Sequence, residues 1–458
     1  MSKNKITLLI VTVVIATVMS SCNIYKKYEL PQEGIVGEYA KVAKEPIDST
    51  ALGNLSWKQI FTDPALQSLI SQALENNLNL KNAKLNVDIA QAQLQGAKLS
   101  YLPSLAFAPN GSGSSVGGSK LSWGYQLPLS MSWEIDIFGR ITNTKRQAQS
   151  SLYQSEAYKQ AATSQLIAGV ANTYYALVSL NNQLNIYKET AQLWKESVQV
   201  MKDMKAAGRF TEVAVVQSEA NYYSILAAIP SIEMSIHELN ITMSLLLNVP
   251  ATTWTVNGNS ILTLPATISN GVPMSYLAVR PDVKAAEQSF AMAYYATNIA
   301  RSAFYPSLTL SPTGGYGTLL GGAVLDPAKW FASLAGQLTA PIFSRGKNIA
   351  GLKAAKAQQE QALNNFQTTL LSAGNEVSNA LISFTKNNER LSNLTLQEEK
   401  LQNAVDYNKD LLTLGTTTYL EVLSAQQSLL QSQIQVENNK LSINQAAISL
   451  YQALGGGR

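Results

Sequence analysis

The chain has 458 residues, 46% hydrophobic but only 14% charged, against a usual charged share of about 25%. Its formal charge of +4 falls to +2 without the leader lysines, and no basic patch with interleaved aromatics occurs. That balance excludes a nucleic-acid binder; the Asn, Gln, Ser and Thr in place of charge suit long helices that pack together and face water.

Lys3 and Lys5 precede an uncharged apolar run, Ile6–Met19, followed by Ser20-Ser21-Cys22. A basic start, a short apolar core and small residues mark a signal peptide over residues 1–21. The run is too short to span a bilayer. Cys22 is the only cysteine, so no internal disulfide forms. Its position resembles a bacterial lipobox, with Cys22 lipidated as the first mature residue. One acyl chain holds a protein only marginally, so it assists insertion. Residues 22–62, with Pro31 and Pro46, read as an extended surface tail.

Asp63-Pro64 opens a helix, with Asp as N-cap and Pro at the first helical position. It continues through Lys81–Ser100, broken near Asn76–Asn79, and ends before Pro103. Leu105 and Phe107 begin a hairpin, about 102–137, whose Gly/Ser-rich segment Asn110–Ser119 reads as a loop tip. The returning stretch, Leu121–Ile137, alternates without exception. Odd positions are apolar from Leu121 and Trp123 to Trp133 and Ile137; even positions are small, polar or breakers. Strict period-2 alternation gives a strand with one apolar and one wet face. Seventeen residues at about 3.4 Å each reach roughly 58 Å, more than a bilayer core needs. Aromatics cluster towards its ends, as interface girdles do. Alternation alone also fits a long strand of a soluble sandwich.

The long helix, 142–207, carries two heptad series: Leu166, Thr173, Leu180, Tyr187, Trp194, Met201 and Val170, Leu177, Leu184, Ala191, Val198. This is a coiled-coil seam. Gly208 ends it as a C-cap glycine. A return helix follows to Leu247, interrupted at Pro230. Residues 248–279 form an irregular linker.

The second half, 280–458, repeats the first half, 63–247. Pro281 and Asp282 open a helix. Pro306-Ser307-Leu308 echoes Pro103-Ser104-Leu105, and a hairpin over 306–342 has a glycine tip at Gly314–Gly322. Ile342-Phe343-Ser344-Arg345 echoes Ile137-Phe138-Gly139-Arg140. A long helix, 347–414, carries Leu363, Leu370, Val377, Phe384 and Leu391 at heptad spacing. Gly415 ends it, and Tyr419–Leu454 returns. The prolines are 203 residues apart, the arginines 205 and the glycines 207. Three nearly constant offsets mark a duplication.

Two strands per repeat give four. Four strands cannot close a barrel, and an open edge in lipid leaves backbone groups unsatisfied. The barrel is therefore shared between chains. Three copies give twelve strands and an open lumen; closure alone also permits two or four.

These residues resemble the outer membrane efflux proteins, the TolC-like outer membrane factors, in their lipoprotein branch. The matching segments are Arg280-Pro281-Asp282-Val283, both Pro-Ser-Leu sites, Ile137–Arg140, Tyr419–Leu423 and the terminal Leu450–Gly457. The resemblance implies an α+β membrane protein, a homotrimer with a shared 12-stranded β-barrel in the outer membrane of a Gram-negative bacterium. A long periplasmic α-helical coiled-coil barrel continues it. It implies a passive efflux conduit whose partners are a periplasmic adaptor and an inner-membrane pump. The turns at Gly208 and Gly415 match the family's periplasmic tips, and Glu421 matches an aperture acid. The family's next acid is Ser424 here. Its tip arginine is Thr417, and the acid that arginine meets is Ala214. The acid–arginine clasp is thus absent, leaving Arg209 or Glu212 as substitutes.

No nucleophile motif or phosphate loop appears, and His237 has no cysteine partner, so neither an enzyme nor a cofactor or metal is expected. Glu134 and Asp136 alternate on the wet strand face beside Arg140, without the pocket that acid–base work needs. A polypeptide-secretion duct and a lipidated coiled-coil scaffold are the competing readings.

Overall fold

The structure is a computed structural model and describes residues 25–42, 56–115, 117–118, 121–256, 261–262, 274–318 and 330–457. Cys22 lies outside the described residues. The chain divides into two compact units. One takes the chain up to Pro31 with Leu85–Ala157 and Lys284–Thr368; the other takes Gln32–Lys84, Tyr158–Val283 and Thr369 onward. Each unit draws on both sequence repeats.

The first unit holds the sheet. Its strands are β1 (Ser104–Phe107), β2 (Asn110–Ser114), β3 (Ser122–Ile135), β4 (Ser307–Thr318) and β5 (Trp330–Thr339). All neighbours are antiparallel, in the order β1-β3-β4-β5, with β2 also on β3. β1 and β2 share one register on β3, Ser104↔Ser132 and Asn110↔Gln126, so they are one interrupted strand. Asn110–Ser114 is therefore strand, not loop tip, and so are Gly314, Gly315 and Gly317. Pairing with the neighbouring strands holds them there, and some of the contacts are close. Gly111 faces Tyr125, and a Cβ on Gly113 would lie 3.3 Å from the Trp123 ring. Apolar side chains stand exposed along the sheet, among them Trp123, Leu129, Leu334 and Leu338.

At the foot of β3, Glu134 and Asp136 have separate tasks. Glu134 makes a two-pronged bond with Arg140, at 2.7 and 2.5 Å. Asp136 accepts the Ile141 and Thr142 amides at 2.9 and 2.8 Å, capping helix α5 (Arg140–Ala206). The Tyr25–Pro31 segment belongs to this unit. Tyr28 packs on Phe290, Tyr294 and Tyr295 with ring centroids 5.6–6.0 Å apart, and the Tyr294 hydroxyl donates to the Lys26 carbonyl at 2.6 Å.

The second unit is helical. The tail is not simply extended: it forms α1 (Gly34–Val42) and α2 (Trp57–Ile60). Val36, Tyr39 and Ala40 are buried at helical spacing. A Cβ on Gly37 would sit 2.2 Å from the Gln32 carbonyl oxygen, so only glycine fits that approach. Helices α3 (Pro64–Asn76) and α4 (Leu78–Leu99) meet at Asn77. Asp63 accepts the Ala65 amide at 2.8 Å and the Tyr174 hydroxyl at 2.6 Å. Asp63→Ala loses both bonds and is expected to cost about 2 kcal/mol of unfolding free energy. Asp63→Asn keeps the cap and recovers about half, readable as two shifts in one thermal-unfolding series.

The helix α6 (Glu212–Leu247) runs unbroken through Pro230. Pro230 itself is exposed, and the helix gives up one bond there, to the Leu226 carbonyl, without breaking. A short 3₁₀ helix, Met274–Val279, leads into α7 (Pro281–Ser302), and α8 (Lys347–Thr413) and α9 (Tyr419–Ala453) complete the element order. α5 and α8 each have 67 residues, about 100 Å of helix. Of the first seam, Leu166, Val170, Leu177, Trp194, Val198 and Met201 are buried; of the second, Leu370 and Val377. A polar layer interrupts the packing. Buried Glu437 accepts from Asn182 at 2.8 Å and pairs with Lys440 at 2.6 Å, while Gln183 donates to Asn438 at 3.1 Å. Such groups set register in an otherwise slippery seam.

Candidate functional site

The candidate site is the pair of turns at the ends of the long helices, both within the second unit. Gly208 and Gly415 have φ of +71° and +70°, the left-handed region that favours glycine. Arg209 N donates to Met204 O and Gly208 N to Lys205 O, each at 2.9 Å. Thr416 N donates to Leu411 O at 3.0 Å and Gly415 N to Leu412 O at 3.1 Å. Both ends are the same Schellman cap, in which the chain reverses on a glycine.

An apolar cluster packs the two helical hairpins together. Trp194, Met201, Val215 and Ile225 come from the first hairpin, and Tyr419, Val422 and Leu423 from the second. The Phe210 and Tyr419 rings lie 6.2 Å apart. Burial raises the Tyr419 phenol above its usual pKa. Directly beside the cluster lies a cavity of about 500 Å³ lined by Tyr187, Trp194, Ile225, Gln427, Leu430 and Gln431.

Charges are arranged differently in the two hairpins. Three lysines of α5 reach three glutamates of α6: Lys188–Glu233 at 3.1 Å, Lys202–Glu219 at 2.8 Å, and Lys205–Glu212 across the turn itself. In the second hairpin, Lys386–Glu389 and Lys440–Glu437 each lie along one helix. The Glu219 carboxylate holds the Lys202 ammonium above its usual pKa. All these pairs except Lys440–Glu437 are widely exposed, and exposed pairs contribute little individually.

The sequence-derived site residues divide accordingly. Glu212 is engaged by Lys205 and not by an arginine. Arg209 is exposed and makes no side-chain bond among the described residues. Thr417 donates its hydroxyl to Glu421. Glu421 stands in the first turn of α9, where the helix dipole also favours a carboxylate. Ser424 is exposed, one turn further. The Lys205–Glu212 and Thr417–Glu421 contacts escape a reading by single motif positions. The symmetric placing of Lys205 and Glu212 about the Gly208 turn is the signal that finds the first.

Arg280 is more than the residue before a helix. It is buried, and its guanidinium donates to Asp282 at 2.7 and 3.0 Å, to Glu376 at 2.5 Å and to the Ala453 carbonyl at 2.8 Å. Burial lowers its pKa, but the bonds to the two carboxylates outweigh that and hold it above the ordinary value. It ties α7, α8 and α9 together. The terminal glycines close over this region: a Cβ on Gly455 would lie 3.2 Å from the Val279 side chain and 3.4 Å from the Arg280 amide nitrogen. A cavity of about 770 Å³ adjoins, lined by Asn379, Ser383 and Gln445 among others.

Among the described residues, no cluster of three or more His, Cys, Asp or Glu could hold a metal ion, and no helix is long and apolar enough to cross a membrane.

Comparisons with known proteins agree with this architecture. The cation efflux system protein CusC of Escherichia coli K12 is 27% identical over 97% of this chain and 98% of its own length. The pyoverdine export outer membrane protein OpmQ of Pseudomonas putida is 30% identical over 89% of each chain, and the probable outer membrane lipoprotein SilC of Salmonella typhimurium 29% over 88% of each. Among solved structures, the outer-membrane channel OprN superposes with a TM-score of 0.85 at 25% identity, covering 95% of this chain and 99% of that one. A CusC structure gives 0.84 at 26%, covering 95% and 100%. The family model described as outer membrane efflux protein matches residues 69–249 and 272–456, and the chain belongs to that family.

Proposed function

We propose that this chain forms the outer-membrane duct of a tripartite efflux assembly. Three copies share a 12-stranded barrel, and their long helices continue it as a periplasmic tube. An inner-membrane pump and a periplasmic adaptor deliver the substrate, and the duct itself is passive. The observation that supports this best is the sheet. Four strand positions, with apolar side chains exposed along them, leave β1 and β5 as open edges. Such edges are untenable in lipid unless other chains pair with them. Lipidation of Cys22 belongs to the same reading, as does the division into two duplicated repeats. The relatives' names cover cation efflux and pyoverdine export, so the class of cargo follows the pump that engages the duct.

At the tips we read closure as packing. The Trp194–Tyr419 cluster holds the hairpins together where an acid–arginine clasp is lacking. Glu421 supplies negative charge at the narrowest part, and Thr417 orients it. Liposome swelling with purified protein tests the duct itself, since a coiled-coil scaffold leaves the vesicles intact. In planar bilayers, Glu421→Gln is expected to lower the preference for cations over anions by about two- to threefold. An unchanged reversal potential would remove Glu421 from the aperture.

A further inference from the structure

Resting on the shared barrel just proposed, the structure assigns a register to the seam between copies. β5 of one copy pairs antiparallel with β1 of the next so that Leu338 faces Phe107, Ala340 faces Leu105 and Phe343 lies over Leu102. The template is inside the chain. β3 and β4 join the two repeats, with Trp133 opposite Leu310 and Ile135 opposite Leu308. Just below, the Phe138 and Tyr305 rings stack at 4.9 Å and 15°, continuing the same register.

The duplication copies both partners of that junction to the sheet's open edges. An offset of 205 residues carries Ile137-Phe138 onto Ile342-Phe343, and β3 onto β5; an offset of 203 carries Pro306-Ser307-Leu308 onto Pro103-Ser104-Leu105, and β4 onto β1. Trp133–Leu310 then becomes Leu338–Phe107, and Leu129–Gly314 becomes Leu334–Gly111. The second pair again sets a large side chain against a glycine, the complementarity that Gly111 and Gly113 already show towards β3.

Exposure points the same way. Ile137 and Phe138 are half-buried by their neighbours, whereas their copies Ile342 and Phe343 are 98% and 85% exposed. Leu102, Leu105, Phe107 and Leu338 are 62–68% exposed. A second copy of this chain, supplying β1 to β5, sets Leu102 over Phe343 and satisfies both rows of backbone groups; the outward side chains stay on the sheet's exposed face, as Leu129 does at 53% with a strand on each side. The alternative is a two-residue slip, because the two hairpins differ by that much internally: Ser104 pairs with Ser132, but Ser307 with Thr339. A slip sets Leu338 against Leu105 or against Pro109.

Cysteine pairs in the full-length protein, in outer membranes, separate these registers. Leu338→Cys with Phe107→Cys is compared with Leu338→Cys plus Leu105→Cys and Leu338→Cys plus Pro109→Cys, using a short thiol–thiol cross-linker. Directly opposed Cβ atoms lie about 5 Å apart and diagonal ones about 7–8 Å, so the first pair is expected to give at least about fivefold more covalent multimer on a denaturing gel. Dominance of either other pair overturns the register. Native mass spectrometry of each uncross-linked variant distinguishes the two levels. An intact oligomer in which no pair cross-links overturns the seam alone; a single chain in the parent protein overturns the shared barrel.

Discussion

Replacing Trp194 with alanine is expected to cost about 3–5 kcal/mol, the range for truncating a buried large aromatic, and to raise pore conductance. Trp194 is 1% exposed and among the largest fully buried side chains. It lies on α5 but packs in the cluster that α9 completes through Tyr419, Val422 and Leu423. The hairpins' ion pairs do not replace it, because Lys188–Glu233, Lys202–Glu219 and Lys205–Glu212 all lie within one hairpin. Removing the indole therefore loosens one hairpin from the other without unzipping either. Hydrogen exchange should quicken around Tyr419–Leu423, while backbone amides of the β-sheet keep their protection. Single-channel recording should show a larger conductance or longer open times. Trp194→Phe retains most of the buried area and should behave nearly as the parent. Faster exchange without any change in conductance would mean that this packing stabilises the tip but does not close it.

How much of this was legible beforehand depends on whether a feature is periodic or relational. The alternation of Leu121–Ile137 appears as β3 and the heptads as two 67-residue helices, because each residue's class alone announces the period. Asn110–Ser114 and Gly314–Gly317 read as loop, since Gly and Ser are turn formers in isolation. They are strand because the neighbouring strands pair with them, and at Gly113, Gly315 and Gly317 a larger residue would crowd its neighbours. Such a choice is made by residues distant in sequence. Gly37 is a local case of another kind: its necessity comes from the carbonyl of Gln32, five residues earlier, which only the folded turn brings close. At the tips, both glycine turns follow from local chemistry. That Thr417 bonds Glu421, and that Lys205 takes Glu212, depends on how each turn places side chains after the chain reverses.

The largest effect in the sheet is expected from Gly315→Ala. Gly315 stands opposite Pro128 in the β3–β4 register. A Cβ there would lie 2.3 Å from the Leu127 carbonyl oxygen and 2.9 Å from the Pro128 Cα. Both obstacles are backbone, so no rotamer change relieves them; the strands must part. Pro128 lacks an N–H, and its carbonyl turns to the other side of β3, accepting the Ala108 amide at 3.3 Å, so the flanking pairs alone hold β3 to β4 at this point. Overpacking of this kind costs about 1–3 kcal/mol in a core, and here the upper end applies, because separated backbone groups in lipid find no water. Two other glycines calibrate the result. At Gly317 the nearest obstacle is the Gln126 Cγ at 3.2 Å, a side chain that can yield. At Gly96, within α4, nothing lies within 4 Å, so alanine should gain about 0.5–1 kcal/mol from helix propensity. Heat resistance of the assembled oligomer on mild-detergent gels should therefore rank Gly96→Ala at or above the parent, Gly317→Ala slightly below it, and Gly315→Ala far below. Equal resistance of the Gly315 and Gly317 variants would show that β3 and β4 can separate locally at Pro128 without disturbing the barrel that their pairing builds.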